Sequence, residues 1–435
     1  MYLKEGNIIH INEKSTLLFI VMIFYKILLD IGFLTVLVSI DASYTLDFNV
    51  IKYLVGFFSI IVLFLFIDHD RSQISSLAFE LHLFIGIIPL SVIYSFCNES
   101  SIYFLAVCAA FLTATVIFCF TSNVSINFSI RIQGINLVIF ACFAIVIMVV
   151  WVYVVIKNGL PTVTALDINN VYELRRENFF IQNKYIGYIY SWMMYVILPF
   201  IISYCLTRKK YAFSTIAFLS IIVLYLYSGN KTSLFSIPLI LVCYIISKHD
   251  DTNLKIFSLF SLGVLASTIL FWMCNIYVLY SLFVRRLLLL PAQIKFYYYD
   301  FFSIRPKIGL ETTLWGSIFG FKPKYPEGVA NTIGAVYYNH IDCNANTGFI
   351  AEGYMRFGIV GIFIAFLVFA FVLYLLDILQ KKTGYVFSVT ATIYVLYSLN
   401  DGSIIDPIIF GPFLILCLIC IFYYKGEEQN EEALC

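Results

Sequence analysis

The sequence predicts an all-α polytopic integral membrane protein, with about twelve transmembrane helices and two large polar connections. Three observations carry that reading. Hydrophobic residues fill 61% of the 435 positions and charged residues 12%, and the mean hydropathy of +0.92 lies outside the range of soluble globular chains. Apolar runs recur at the length a bilayer demands, about 20 residues for about 30 Å of hydrocarbon. The remaining charge is concentrated in two long connections between those runs.

The first run begins at Ser15. It is longer than a signal-peptide core and has no small-residue cleavage site behind it, so it reads as the first span, 15–40. Further runs follow at 50–68, 77–97, 102–120, 134–157, 185–206, 211–228, 231–247, 256–280, 348–377, 384–400 and 404–424. One set of connections carries Lys4, Lys14, Arg71, Arg131, Arg208, Lys209, Lys210, Lys248, Lys255, Lys381, Lys382 and Lys425, while the opposite short connections, 41–49, 98–101 and 401–403, carry no Lys or Arg. Positive charge stays inside, so both termini and the tail 425–435 are expected in the cytoplasm. The whole of 1–435 is expected to form one membrane-embedded domain. The long connections 158–184 and 281–347 then fall on the outside. They are basic all the same, and long loops cross regardless of charge, so an anionic ligand is expected on the outer face.

Several features have plain structural readings. Most of the 11 cysteines lie inside apolar runs, where Cys acts as a small hydrophobe. Cys417 and Cys420 lack partner ligands for a metal or redox role, and Cys97 and Cys343 fall near one membrane face. Lys26 and Asp30 are spaced i,i+4 and can neutralise each other inside the first span. Asp68-His69-Asp70 has the form of a metal-binding Asp-x-Asp, but stands beside Arg71 where a solvated helix end is expected. The aromatic run 296–302 suits interfacial anchoring as well as stacking on sugars. Asp41 and Asp47 have no motif beside them.

The two long connections share a pattern. Arg176-Glu-Asn-Phe-Phe-Ile-Gln-Asn-Lys-Tyr-Ile-Gly187 and Arg305-Pro-Lys-Ile-Gly-Leu-Glu-Thr-Thr-Leu-Trp-Gly316 each place a glycine after an arginine and ten residues, and the spacing occurs nowhere else in the chain. With about twelve spans and two large outer loops, this resembles the Wzy-type O-antigen polymerases, whose architecture is shared by the O-antigen ligases. Ser228-Gly229-Asn230-Lys231-Thr232-Ser233 is similar to that family's small-Gly-small-Arg turn, with Lys231 where arginine is usual; a lysine is a point charge and cannot grip phosphate bidentately. Asn339-His340 resembles the loop histidine of the ligase branch.

The resemblance implies a GT-C-like polymerase or ligase architecture in the bacterial inner membrane, with the active site facing the periplasm. The implied substrates are oligosaccharide repeat units on undecaprenyl diphosphate, joined without a metal or other cofactor. Partners would be membrane lipid, a chain-length regulator and a flippase, and nucleic acid is not among them. Arginine forks suit diphosphate oxygens at about 1.5–3 kcal/mol per charge-assisted hydrogen bond. Arg176 and Arg305 are therefore expected at the catalytic centre, with His340 as the base. Arg175, Lys231, Arg285, Arg286, Glu352 and Arg356 are expected to bind or shape the diphosphate and sugar sites. Three alternatives remain: a ligase acting on lipid A core, a glycosyltransferase using a lipid monophosphate, and a flippase or transporter of lipid-linked sugars.

Overall fold

A computed structural model describes residues 13–69, 72–121, 134–159, 184–313, 316, 318–339, 343–404 and 411–423. Among them the regular structure is helical throughout. In chain order the helices are α1 (Glu13–Ile40), α2 (Val50–Leu65), α3 (Ile74–Phe96), α4 (Ser101–Thr121), α5 (Ile135–Lys157), α6 (Tyr185–Thr207), α7 (Tyr211–Ser228), α8 (Lys231–Ile246), α9 (Thr252–Cys274), α10 (278–303), α11 (Val329–Tyr338), α12 (Phe349–Thr383), α13 (Tyr385–Ser398) and α14 (Pro412–Phe422). Each expected apolar run contains a helix among the described residues. Eight of the helices, α1, α3, α4, α5, α6, α7, α9 and α12, are long and apolar enough to cross a membrane. Among the described residues four more apolar helices, α2, α8, α13 and α14, are shorter, and the 11 residues of α14 extend only about 16 Å.

The chain divides into two compact units. Unit 1 is Met1–Ser125, Asp251–Leu373 and Tyr397–Asp406. Its axis is α3, buried at every residue, its polar side chains such as Ser91, Ser95 and His82 bonding back to carbonyls of the same helix. Against α3 pack α2, α4 and α10, and α1 packs along α9. Lys26 and Asp30 form an ion pair inside α1, with the Tyr53 hydroxyl donating to Asp30 at 3.0 Å and the ammonium lying 4.9 Å from the Tyr53 ring centre. The pair is therefore internal and neutralised.

Two segments of unit 1 depart from the expected picture. The connection from 281 is not an open loop: 278–303 is continuous helix, and Phe296, Tyr298, Phe301 and Phe302 are buried in the protein rather than anchored at an interface. Its first part, Ser281–Leu289, is a π-type turn ending two residues before Pro291. The wider turn relieves the clash of a proline ring with the carbonyl one turn back. Proline has no N–H to give that carbonyl, Leu287, and the Asn400 side chain donates to it instead at 3.2 Å.

The run 348–377 is not one straight span. Phe357 and Gly358 have non-helical backbone, with Gly358 at φ 65°, ψ −146°, a conformation that essentially only glycine adopts. The first two turns of α12 double back on the next: a Cβ on Gly353 would lie 2.4 Å from the Gly361 carbonyl oxygen, and Phe349 touches Phe366 and Phe369, with ring centres 5.1 and 5.4 Å apart. Small residues allow this backbone contact.

Unit 2 is Ile126–Asp250, Tyr374–Leu396 and Pro407–Cys435. It contains α5 to α8 and α14, with the later part of α12 and most of α13. In it a π-type turn, Met193–Ile197, again precedes a proline, Pro199. Ser203 Oγ donates to the Phe387 carbonyl at 2.8 Å, and Lys382 Nζ caps the last carbonyls of α14, Cys420 and Ile421, at 2.9 and 2.8 Å.

Candidate functional site

The candidate site lies in unit 1, at the end that carries 41–49, 97–100 and 304–339. Two i,i+3 or i,i+4 pairs on the last turns of α10 set its layout: Tyr297 with Asp300, and Phe301 with Arg305, share helix faces. Arg305 is exposed, its guanidinium carbon is 4.1 Å from the Phe301 ring centre, and one of its nitrogens donates to the Phe301 carbonyl at 3.3 Å. Among the described residues it has no carboxylate partner.

The remaining cations sort by pairing. Arg285 is bonded to Asp41 at 2.5 Å and is half-buried. Burial would raise the Asp41 carboxyl, but hydrogen bonds from Ser43 and Arg285 and the guanidinium charge hold it below the usual range. Arg286 is exposed without an ion pair among the described residues. Glu352 and Arg356, expected among the binding residues, have side chains only 2% and 4% exposed. Glu352 accepts from Arg356 Nε at 2.9 Å, from Ser403 Oγ at 2.5 Å and from the Ile404 amide at 2.9 Å. Arg356 in turn donates to the Gly309 carbonyl at 2.9 Å and to Thr312 at 3.3 Å. The pair presents no free charge; it pins the segment that follows Arg305. The Lys324–Glu311 bridge at 2.7 Å, with Lys324 also donating to the Lys307 carbonyl at 2.8 Å, ties the same segment from the other side.

Beside Arg305 lies a surface of tyrosines and carboxylates, of which sequence reasoning singled out the run 296–302 but not Tyr337, Tyr338 or Glu99. Tyr297 of α10 and Tyr337 of α11 stack with ring centres 4.3 Å apart at 8°, and Tyr338 meets Tyr297 edge-on at 5.7 Å. The Tyr337 hydroxyl donates to Asp300 Oδ2 at 2.5 Å and feels the charge of Arg305. Glu99, in the turn between α3 and α4, is pushed up to about 7 by burial and by the neighbouring charge of Asp300. Lys52 holds that turn by donating to the Asn98 and Glu99 carbonyls at 2.8 and 2.6 Å. The composition of 296–302 signalled rings, but not which of them remain accessible.

Deeper in unit 1 is a second polar group. Lys295, 1% exposed, donates to Asn400 Oδ1 at 2.8 Å and interacts with the charge of Asp401. Asn400 sits beside Gly86, midway along α3, and the Phe349 amide donates to the Leu399 carbonyl at 3.3 Å. Here the start of α12, the end of α13 and the proline break of α10 meet, so unsatisfied backbone ends find partners in one buried place. His82 is buried in α3, bonded through Nδ1 to the Ala78 carbonyl at 2.9 Å.

Other expected residues fall elsewhere. His340, Arg175 and Arg176 lie outside the described residues, as do Trp315 and Asp70. Lys231 opens α8 in unit 2, behind the turn Ser228-Gly229-Asn230, where Asn230 caps Thr232 at 3.2 Å. His69 is not a solvated helix end: its Nδ1 bonds Glu80 at 2.8 Å and its ring stacks on Phe64 with centres 3.9 Å apart. Among the described residues no group of three or more His, Cys, Asp or Glu could hold a metal ion, and Cys97 and Cys343 are free thiols. Compared with known proteins, the chain matches no family model, no curated relative and no solved structure.

Proposed function

We propose that the chain is a membrane glycosyltransferase that polymerises oligosaccharide repeat units carried on undecaprenyl diphosphate, acting at the periplasmic face of a bacterial inner membrane. The observation that carries the reading is Arg305: an exposed guanidinium held in place on Phe301 with no carboxylate to neutralise it among the described residues, on a segment pinned from both sides by Glu352–Arg356 and Lys324–Glu311. Such a fixed fork suits a diphosphate, and it gains most by meeting the charge that develops on the leaving group. Arg286 adds a second cation with no ion pair among the described residues. The tyrosine surface beside Arg305 suits the sugars of the same substrate. In this reading all twelve apolar helices belong to the membrane region, both termini are cytoplasmic, and the resemblance of the paired arginine segments supplies the reaction class.

The test is the lipopolysaccharide banding pattern of a strain lacking this chain, with intact protein or Arg305→Ala restored. A core bearing one repeat in the null, a ladder with intact protein and no ladder with the variant at normal protein level is the expected result. A full ladder from Arg305→Ala overturns the assignment. One observation favours a second reading: the doubled-back start of α12 and the polar group around Asn400, midway along α3, resemble the broken helices of transporters. A flippase of the same lipid-linked sugars would give a null strain with no repeat on the core at all.

A further inference from the structure

We propose that Asp300, Tyr337, Tyr297 and Glu99 form the acceptor subsite of this reaction, and that Asp300 is the base that takes the proton from the acceptor hydroxyl. The proposal rests on the glycosyl-transfer reading above and names the carboxylate and ring partners that lie beside Arg305. Three independent features point to a sugar there.

Asp300 is exposed and its two oxygens are differentiated. Oδ2 accepts the Tyr337 hydroxyl, which orients the carboxylate, while Oδ1 has no partner among the described residues and is open to an incoming hydroxyl. Tyr337 has Tyr297 as its ring partner on one face and is half-exposed, which leaves the other face for the C–H face of a pyranose. Tyr44, 3% exposed, has a hydroxyl without a hydrogen-bond partner among the described residues that lies among Tyr338, Arg285, Asp41 and Tyr297. A buried hydroxyl left unpaired is costly, and a sugar hydroxyl, both donor and acceptor, would satisfy it.

The charged and titratable groups facing Asp300 come from three elements: Glu99 from the turn between α3 and α4, Tyr337 from α11, and Tyr297 and Arg305 on or just after α10. Arg305 and Asp300 both act on Tyr337, so a cation and a carboxylate stand close to one ring, and a displacement uses both. The acceptor oxygen forms a bond to the anomeric carbon as its proton passes to Asp300. The bond from that carbon to the diphosphate oxygen breaks, and its electron pair leaves on the diphosphate, whose charge Arg305 meets. The proton then passes from Asp300 to water, and no oxidant or further reactant is required.

The test uses full-length protein in nanodiscs and, as probe, the lipid-linked repeat unit extracted from cells lacking this chain. Initial rates of polymer formation are measured against repeat-unit concentration for the intact chain, Asp300→Asn and Tyr337→Phe, so that kcat and KM are read separately. Asp300→Asn should lose about 10²-fold or more in kcat, the range of a positioned base, with KM little changed. Tyr337→Phe keeps the ring and loses only the hydroxyl that orients the carboxylate, so it should lower kcat several-fold with KM little changed; a merely structural role would not split the two. A rate for Asp300→Asn within about threefold of intact protein, far short of the loss expected for a base, or a Tyr337→Phe kcat equal to that of the intact chain, overturns the subsite. Absence of polymer from the intact chain overturns the glycosyl-transfer reading itself, and the subsite with it.

Discussion

Glu352→Ala removes the acceptor of three hydrogen bonds at once, from Arg356, Ser403 and the Ile404 amide, and leaves the 4%-exposed Arg356 side chain without its counter-charge. Breaking a buried pair by deleting one partner costs about 3–5 kcal/mol, mostly from the orphaned charge. At about 2–4 °C per kcal/mol for a large domain, the unfolding midpoint in detergent should fall by roughly 6–20 °C. The double variant Glu352→Ala with Arg356→Met removes the orphan as well, and should be more stable than Glu352→Ala alone by about 2 kcal/mol, the sign expected of coupled neighbours. The assay is thermal unfolding of the purified single and double variants, with polymer length read in parallel. Both variants should shorten the polymer, because Arg356 also holds Gly309 and Thr312 just after Arg305. If the double variant is as unstable as the sum of its single changes, the pair is not an isolated buried couple and the reasoning fails.

Gly358→Ala places a side chain at φ 65°, ψ −146°; it should cost about 1–3 kcal/mol, seen as a lower unfolding midpoint, and an unchanged midpoint would argue against the doubled-back α12. Asn400→Ala strips partners from the Leu287 carbonyl and the Lys295 ammonium, and should destabilise by about 3 kcal/mol or more, with Lys295→Met partly restoring stability in the double variant. Glu99 has its folded pKa raised from 4.5 to about 7, so its contribution is fully present below about pH 4.5 and is lost as pH rises through 7. Glu99→Gln escapes that loss. Allowing for partial solvent access, it should unfold later than the intact protein at about pH 8 by an amount on the order of 1–2 kcal/mol, with the difference vanishing near pH 5. A constant difference across that range would refute the shift.

Composition and run length were enough to fix the class of this protein and the place of every apolar helix, because the need to bury about 20 apolar residues per crossing is local and is written in consecutive residues. The paired Arg-x10-Gly segments were equally legible, and one of them leads to the exposed Arg305. What each charge does was not legible. The i,i+4 spacing of Glu352 with Arg356 was legible, but only tertiary contacts decide that this pair is buried, that Asp41 neutralises Arg285 and that Arg305 stays exposed. Partners from 47 to 244 positions away leave no periodic trace. The same holds for α10, whose proline and charges read as a loop until Asn400, 113 residues beyond Leu287, supplies the hydrogen bond that Pro291 removes. The sequence alone determined which segments must leave water; the fold decided which polar groups stay unpaired, because pairing depends on distances between segments that the chain order does not contain.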